Sequence, residues 1–157
     1  MEYRIRTMTE EDYDQLEDFL YEAIFLPEGI PTPPRSILKN PDLQVYLNGF
    51  GSGQGDAGIV AEADYRLIGA VWSRIMNDYG HVDDQTPSLA ISLYKEYRNQ
   101  GIGTAMLHEI LKLLKNRGYR QVSLAVQKEN YAVRMYRKAG FEILKESDEE
   151  YIMVCKL

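Results

Sequence analysis

A chain of 157 residues corresponds to about one domain, and it can bury roughly 68–70% of its unfolded surface without disulfides or metals. Apolar residues make up 45% and charged residues 27%, which excludes a disordered or collagen-like chain. The net charge is −6, with one cysteine and two histidines. That excludes an internal disulfide and argues against a structural zinc site. No run of eighteen apolar residues occurs, and the start Met1-Glu2-Tyr3-Arg4 lacks a secretory signal's basic and apolar segments. The expectation is a cytoplasmic protein with one domain over residues 1–157, no membrane segment and no metal.

Taken in order, Tyr3 to Arg6 reads as a short strand. Thr9 reads as an N-cap with Asp12 three residues on, and Tyr13, Leu16, Phe19, Leu20, Ala23 and Ile24 repeat at helical spacing, predicting a helix to about Leu26. Prolines 27, 31, 33 and 34 with Gly29 stop it. A second helix is predicted over 36–47, broken or bent near Pro41. Gly49, Gly51, Gly53 and Gly55 predict a flexible loop with too little apolar content to pack. Residues 58–62 and 67–72 read as an antiparallel hairpin, and 88–93 as a third strand. A leucine-rich helix follows over 101–117, closed by Gly118. Then come a strand around Val122, Leu124 and Val126, a helix over 131–139 closed by Gly140, and strands over 141–144 and 151–155. The order is β-α-α-β-β-β-α-β-α-β-β, an α/β fold with a mixed sheet and helices on its faces.

Charge is distributed unevenly. Residues 94–138 carry a net +7 and the remainder −13. A basic segment within an acidic protein suits a compact anionic ligand better than a long nucleic acid. Inside that segment a strand leads through a tight loop, Tyr94 to Gln100, into a helix that opens Gly101-Ile102-Gly103-Thr104. The first amides of a helix have no intrahelical partner, and glycines let a phosphate approach them, so the arrangement fits a diphosphate. It is neither a dinucleotide fingerprint, since Met106 occupies the third glycine position, nor a Walker A loop.

Arg98-x-x-Gly101-x-Gly103 after a strand resembles the acetyl-coenzyme A motif of the GNAT superfamily of N-acetyltransferases. Asn130, Ala132, Tyr136 and Gly140-Phe141 resemble that family's second signature, with Met135 at its usual leucine and a one-residue shorter Asn-to-Tyr spacing. The resemblance implies a GNAT-like acyl-CoA N-acyltransferase fold and acetyl transfer from acetyl-CoA to a primary amine, on a small molecule or a peptide, by direct attack in a ternary complex. It implies that Ile91, Ser92 and Leu93 hold the pantetheine amides and the thioester carbonyl through their backbones. It further implies that Arg98, Asn99, Gln100, Gly101, Ile102, Gly103 and Thr104 wrap the diphosphate, and that Asn130 bonds the pantetheine arm or caps the short helix. Tyr136 is implied as the catalytic residue beside the sulfur. A phenol near pKa 10 stays protonated at neutral pH and can serve a departing thiolate near 8.5.

A base is not assignable from sequence. Some relatives carry a glutamate on the strand before the diphosphate loop, but residues 88–93 hold none. Glu22, Glu28, Glu62, His81, Asp83, Asp84, Asp148, Glu149 and Glu150 all stay open. Trp72 reads as core or pocket wall, and Cys155 as buried and inert. The rival readings are a non-catalytic acyl-CoA-binding module on the same fold and a nucleotide-binding regulatory domain. No nucleic-acid motif is present, and a homodimer through a sheet edge is compatible with the chain.

Overall fold

The computed structural model describes residues 2–157. One seven-stranded sheet has the order β1-β2-β3-β4-β5-β7-β6, with strands Arg4–Thr7, Ala57–Ala63, Arg66–Arg74, Ser88–Leu93, Gln121–Gln127, Glu142–Glu146 and Glu150–Lys156 as β1 to β7. All neighbours are antiparallel except β4 and β5, which run parallel. Four α-helices, Leu16–Ala23, Pro41–Gln44, Ile102–Asn116 and Ala132–Lys138, are α1 to α4. The predicted order of elements holds.

Each face of the sheet carries its own core, because successive strand residues point to opposite sides. Val71 and Leu89 pack with Ile102, Met106, Leu107, Ile110 and Leu114 of α3. The adjacent Trp72 and Ala90 pack with Phe19 and Leu20 of α1 on the other face. Helix α3 has its apolar residues at helical spacing, and it ends where Gly118 takes φ +94°. The hairpin between β2 and β3 turns through Asp64 and Tyr65, both at positive φ, the twist that two-residue hairpins require.

The N-terminal half departs from the expected helices. Instead of one helix from Thr9, a 3-10 segment, Glu10–Gln15, precedes α1. Asp12 accounts for the tight start: its carboxylate accepts from the Thr9 N–H at 2.8 Å and from both Arg6 guanidinium nitrogens at 2.7 and 2.9 Å. α1 ends at Ala23, three residues before the expected Leu26. The second predicted helix splits at Pro41 into a 3-10 segment, Arg35–Lys39, and α2, which Asn40 caps through its side chain. The glycine loop stays largely exposed but is tied down by hydrogen bonds. Phe50 meets Tyr13 edge-on, and the amides of Gly51 and Gly53 donate to Asp56, which also pairs with Arg74 at 3.1 Å.

Candidate active site

β4 and β5 meet only at Ser88 and Ser123 and then separate. A cleft of about 270 Å³ lies between them, with walls from α1, α2 and α4. The loop before β4 follows the same seam. Ser123 donates to the Gly80 carbonyl at 2.7 Å, and a side chain at Gly80 would meet the Ala125 backbone at 2.9 Å. That close approach, possible only for glycine, seats the neighbouring Tyr79 in the cleft wall.

Along β4 the antiparallel ladder alternates. The Tyr94 N–H donates to the Ile68 carbonyl, and Ser92 stands opposite Ala70, so the backbones of Ala90 and Ser92 are committed to β3. Those of Ile91 and Leu93 face the side that β5 has vacated. The Leu93 carbonyl accepts from Arg98 Nε at 2.8 Å, and the same guanidinium lies 3.5 Å from Glu22 of α1. Arg98 therefore ties the strand end, the loop and α1 together through its side chain. Ser92 Oγ is buried without a partner.

Beyond Arg98 the chain turns into α3 through Asn99 at φ +62° and Gly101 at φ +84°. Ala105 is the first residue of the helix whose N–H finds a carbonyl, that of Gly101. Among the described residues, the amides of Asn99, Gln100, Gly101, Ile102, Gly103 and Thr104 have no protein acceptor. They lie at the positive end of a fifteen-residue helix, an arrangement with the donors and dipole that suit an anion. Space is available there: a Cβ at Gly101 would meet nothing within 4 Å, and one at Gly103 only the Met135 sulfur at 3.4 Å.

α4 supplies the opposite wall. Asn130 Oδ1 accepts from the Ala132 N–H at 2.9 Å, and both Asn130 and Tyr136 line the cleft. The Tyr136 ring lies 5.8 Å from that of Phe141, and burial lifts its phenol well above the usual tyrosine range. Cys155 is buried and its thiol likewise pushed up by burial, consistent with an inert core residue.

The cleft also takes side chains from separate segments that sequence patterns do not bring together. Tyr46 follows α2, Tyr79 sits on the loop before β4, and Glu150 opens β7. Trp72 holds Tyr46 in place by donating its indole N–H to the Tyr46 carbonyl at 3.1 Å. Tyr79 reaches Asp42 Oδ2 at 3.3 Å. Asp78 lies behind Tyr46, where it accepts from Ser88 at 2.9 Å, and burial raises its carboxyl. Most of the acids left open by the sequence are occupied elsewhere. Glu62 pairs with Arg4 and Arg6, Glu22 lies beside Arg98, Asp83 accepts from the Gln85 amide, and Glu28, Asp84, Asp148 and Glu149 are exposed. His81 is bound to the Met76 carbonyl through Nδ1 and lies outside the cleft lining. Glu150 alone of that set lines the cleft.

Among the described residues no cluster of histidine, cysteine or acidic side chains is arranged to hold a metal, and no helix is long and apolar enough to cross a membrane. The chain is 28% identical to an N-alpha-acetyltransferase of Sulfurisphaera tokodaii over 99% of its own length and 94% of that protein's. It is 30% identical to an N-alpha-acetyltransferase of Saccharolobus solfataricus over 63% of this chain and 68% of that one. The crystal structure of a PaiA N-acetyltransferase from Thermoplasma acidophilum in complex with coenzyme A shares its fold, with a TM-score of 0.72 at 23% identity and full coverage of both chains. The model of the acetyltransferase (GNAT) family matches residues 14–141, and the chain belongs to that family.

Proposed function

We propose that the protein transfers an acetyl group from acetyl-coenzyme A to a primary amine in one cleft with two distinct ends. The observation that carries this reading is the run of unpartnered amides from Asn99 to Thr104 at the start of α3, opening beside the gap between β4 and β5. A diphosphate there takes up hydrogen bonds the protein leaves unmade, and the pantetheine arm then lies along β4. Ile91 and Leu93 pair with its amides, whereas Ser92 is buried with its backbone committed to β3 and makes no contact with the arm. Arg98 contributes by bracing the loop. Asn130 caps α4 with its oxygen and keeps its amide nitrogen for the arm.

The acetyl group then lies next to Tyr136. Because burial raises the phenol further above a thiol near 8.5, full proton transfer from Tyr136 to the thiolate is uphill. Tyr136 instead donates a charge-assisted hydrogen bond to the departing sulfur. The lone pair of the amine forms the C–N bond while the C–S bond breaks, with no covalent intermediate on the protein. Cys155 is too deeply buried in β7 to serve as a nucleophile. The relatives named as N-alpha-acetyltransferases make an α-amine the first acceptor to test, and a cytoplasmic setting belongs to the same proposal. The test is release of free thiol from acetyl-coenzyme A across a panel of peptides with free amino termini and small amines. Amine-dependent release supports transfer. Tight coenzyme A binding with no turnover on the whole panel would make this a binding module instead.

A further inference from the structure

We propose that Glu150, at the start of β7, is the proton acceptor of the reaction, taking a proton from the acceptor's ammonium group in the cleft. The inference rests on the acetyl-transfer reading and names the base that reading lacks. β4 offers no acid from Ser88 to Leu93, and the other acids near the cleft are committed. Asp78 accepts from Ser88 behind Tyr46, Glu22 lies beside Arg98, and Asp42 meets the Tyr79 hydroxyl. Glu150 lines the cleft together with Tyr136 and Asn130, and among the described residues no cation pairs with it. Its backbone is held firmly, opposite Gln127 in the β5–β7 ladder and accepting from the Ser147 N–H at 2.9 Å. The carboxylate is therefore presented by a strand rather than by a loose loop.

The groups around it suit the role. Tyr46 from just after α2, Tyr79 from the loop before β4 and Tyr136 from α4 share the cleft; burial, then Asp78 beside Tyr46 and Asp42 beside Tyr79, raise those two hydroxyls, with Glu150 adding a smaller push. Lys128, just past β5, is engaged by Glu146 at 3.1 Å, and Glu149 lies in the turn beside it. Burial, then the Glu149 charge, push the Glu150 carboxyl upward, which narrows its gap to an amine. The step balances. The ammonium nitrogen gives one proton to Glu150, which releases it to solvent. The freed electron pair forms the C–N bond, the C–S electrons move to sulfur, and the second nitrogen proton ends on coenzyme A. The net products are an amide, coenzyme A and one proton.

The test compares the parent with Glu150→Gln and with Glu149→Gln, which removes the same charge one residue away. Initial rates are measured from pH 6 to 9.5 on each amine the parent acetylates, chosen from a peptide α-amine near 7.8 and a lysine-like amine near 10.4. Coenzyme A affinity is measured by calorimetry in parallel. Glu150→Gln is expected to lower kcat about 100-fold or more at pH 7 on the more basic amine and less on the α-amine. The deficit should shrink as rising pH delivers the amine already neutral, with coenzyme A affinity unchanged. Glu149→Gln should stay within about threefold of the parent. An unchanged kcat, a rise in KM alone, or a deficit that does not vary with pH would overturn the assignment while leaving acetyl transfer standing. A parent that binds coenzyme A yet acetylates no amine would overturn the acetyl-transfer reading itself.

Discussion

The two ends of the cleft are made of different material. The proposed cofactor end is backbone: six consecutive amides at the mouth of a long regular helix, beside the freed edge of β4. The proposed acceptor end is side chain: Tyr46, Tyr79 and Glu150, brought from just after α2, a loop and β7, with the short N-terminal helices as its wall. Backbone amides recognise phosphate whatever side chains surround them, so one end can stay constant while the other is rebuilt for a different amine. A change at either end should therefore be felt mainly at that end.

The largest separation is expected from Gly103→Glu. It places a carboxylate among the amides that hold the diphosphate, where space exists for it beside Met135. Coenzyme A affinity should fall at least about 100-fold, the scale of losing two charge-assisted hydrogen bonds, while thermal unfolding stays near that of the parent. Next, Tyr136→Phe should reduce kcat roughly 10- to 150-fold, the equivalent of about 1.5–3 kcal/mol for a hydrogen bond to charge, with cofactor affinity intact by calorimetry. An unchanged rate would remove Tyr136 from the chemistry. Trp72→Phe breaks the bond to the Tyr46 carbonyl on the acceptor side alone. It should cost about 1–3 kcal/mol in urea unfolding and raise the KM for amine severalfold without weakening coenzyme A. A change in cofactor affinity there would show that the two ends are coupled.

The smallest effect depends on pH. The Arg6 guanidinium beside Asp12 holds that carboxyl below the usual carboxylate range, so the pair stabilises the N-terminal wall fully above a pH of about 4. The contribution is lost as pH falls through the lower, folded value. Asp12→Asn should therefore be less stable than the parent at neutral pH and should lose less on acidification below about pH 4, as seen in urea midpoints across the acid range.

The same contrast explains what was legible in the sequence. The turn into α3 was readable because Arg98, Gly101 and Gly103 lie within six residues and glycine at a helix start has a direct steric meaning. The order of elements was readable from apolar periodicity, as in α3, where every buried position keeps helical spacing. Helix extents in the N-terminal half were not. The Arg6–Asp12 pair selects a 3-10 geometry that periodicity cannot distinguish from a continuous helix, whereas the split at Pro41 was signalled by the proline itself. The anchoring of the glycine loop was missed because its anchor is a carboxylate, Asp56, rather than an apolar residue. The acceptor end was illegible because Tyr46 and Glu150 lie more than a hundred residues apart and become neighbours only through the sheet order.

The central claim, that the start of α3 grips the diphosphate of an acyl carrier, is tested most directly by titrating the purified protein with coenzyme A and with pantetheine, which has the same arm and thiol but no diphosphate. Coenzyme A should bind at least about 100-fold more tightly, the loss expected when two or more charge-assisted hydrogen bonds are absent. Equal affinity for the two would contradict the account.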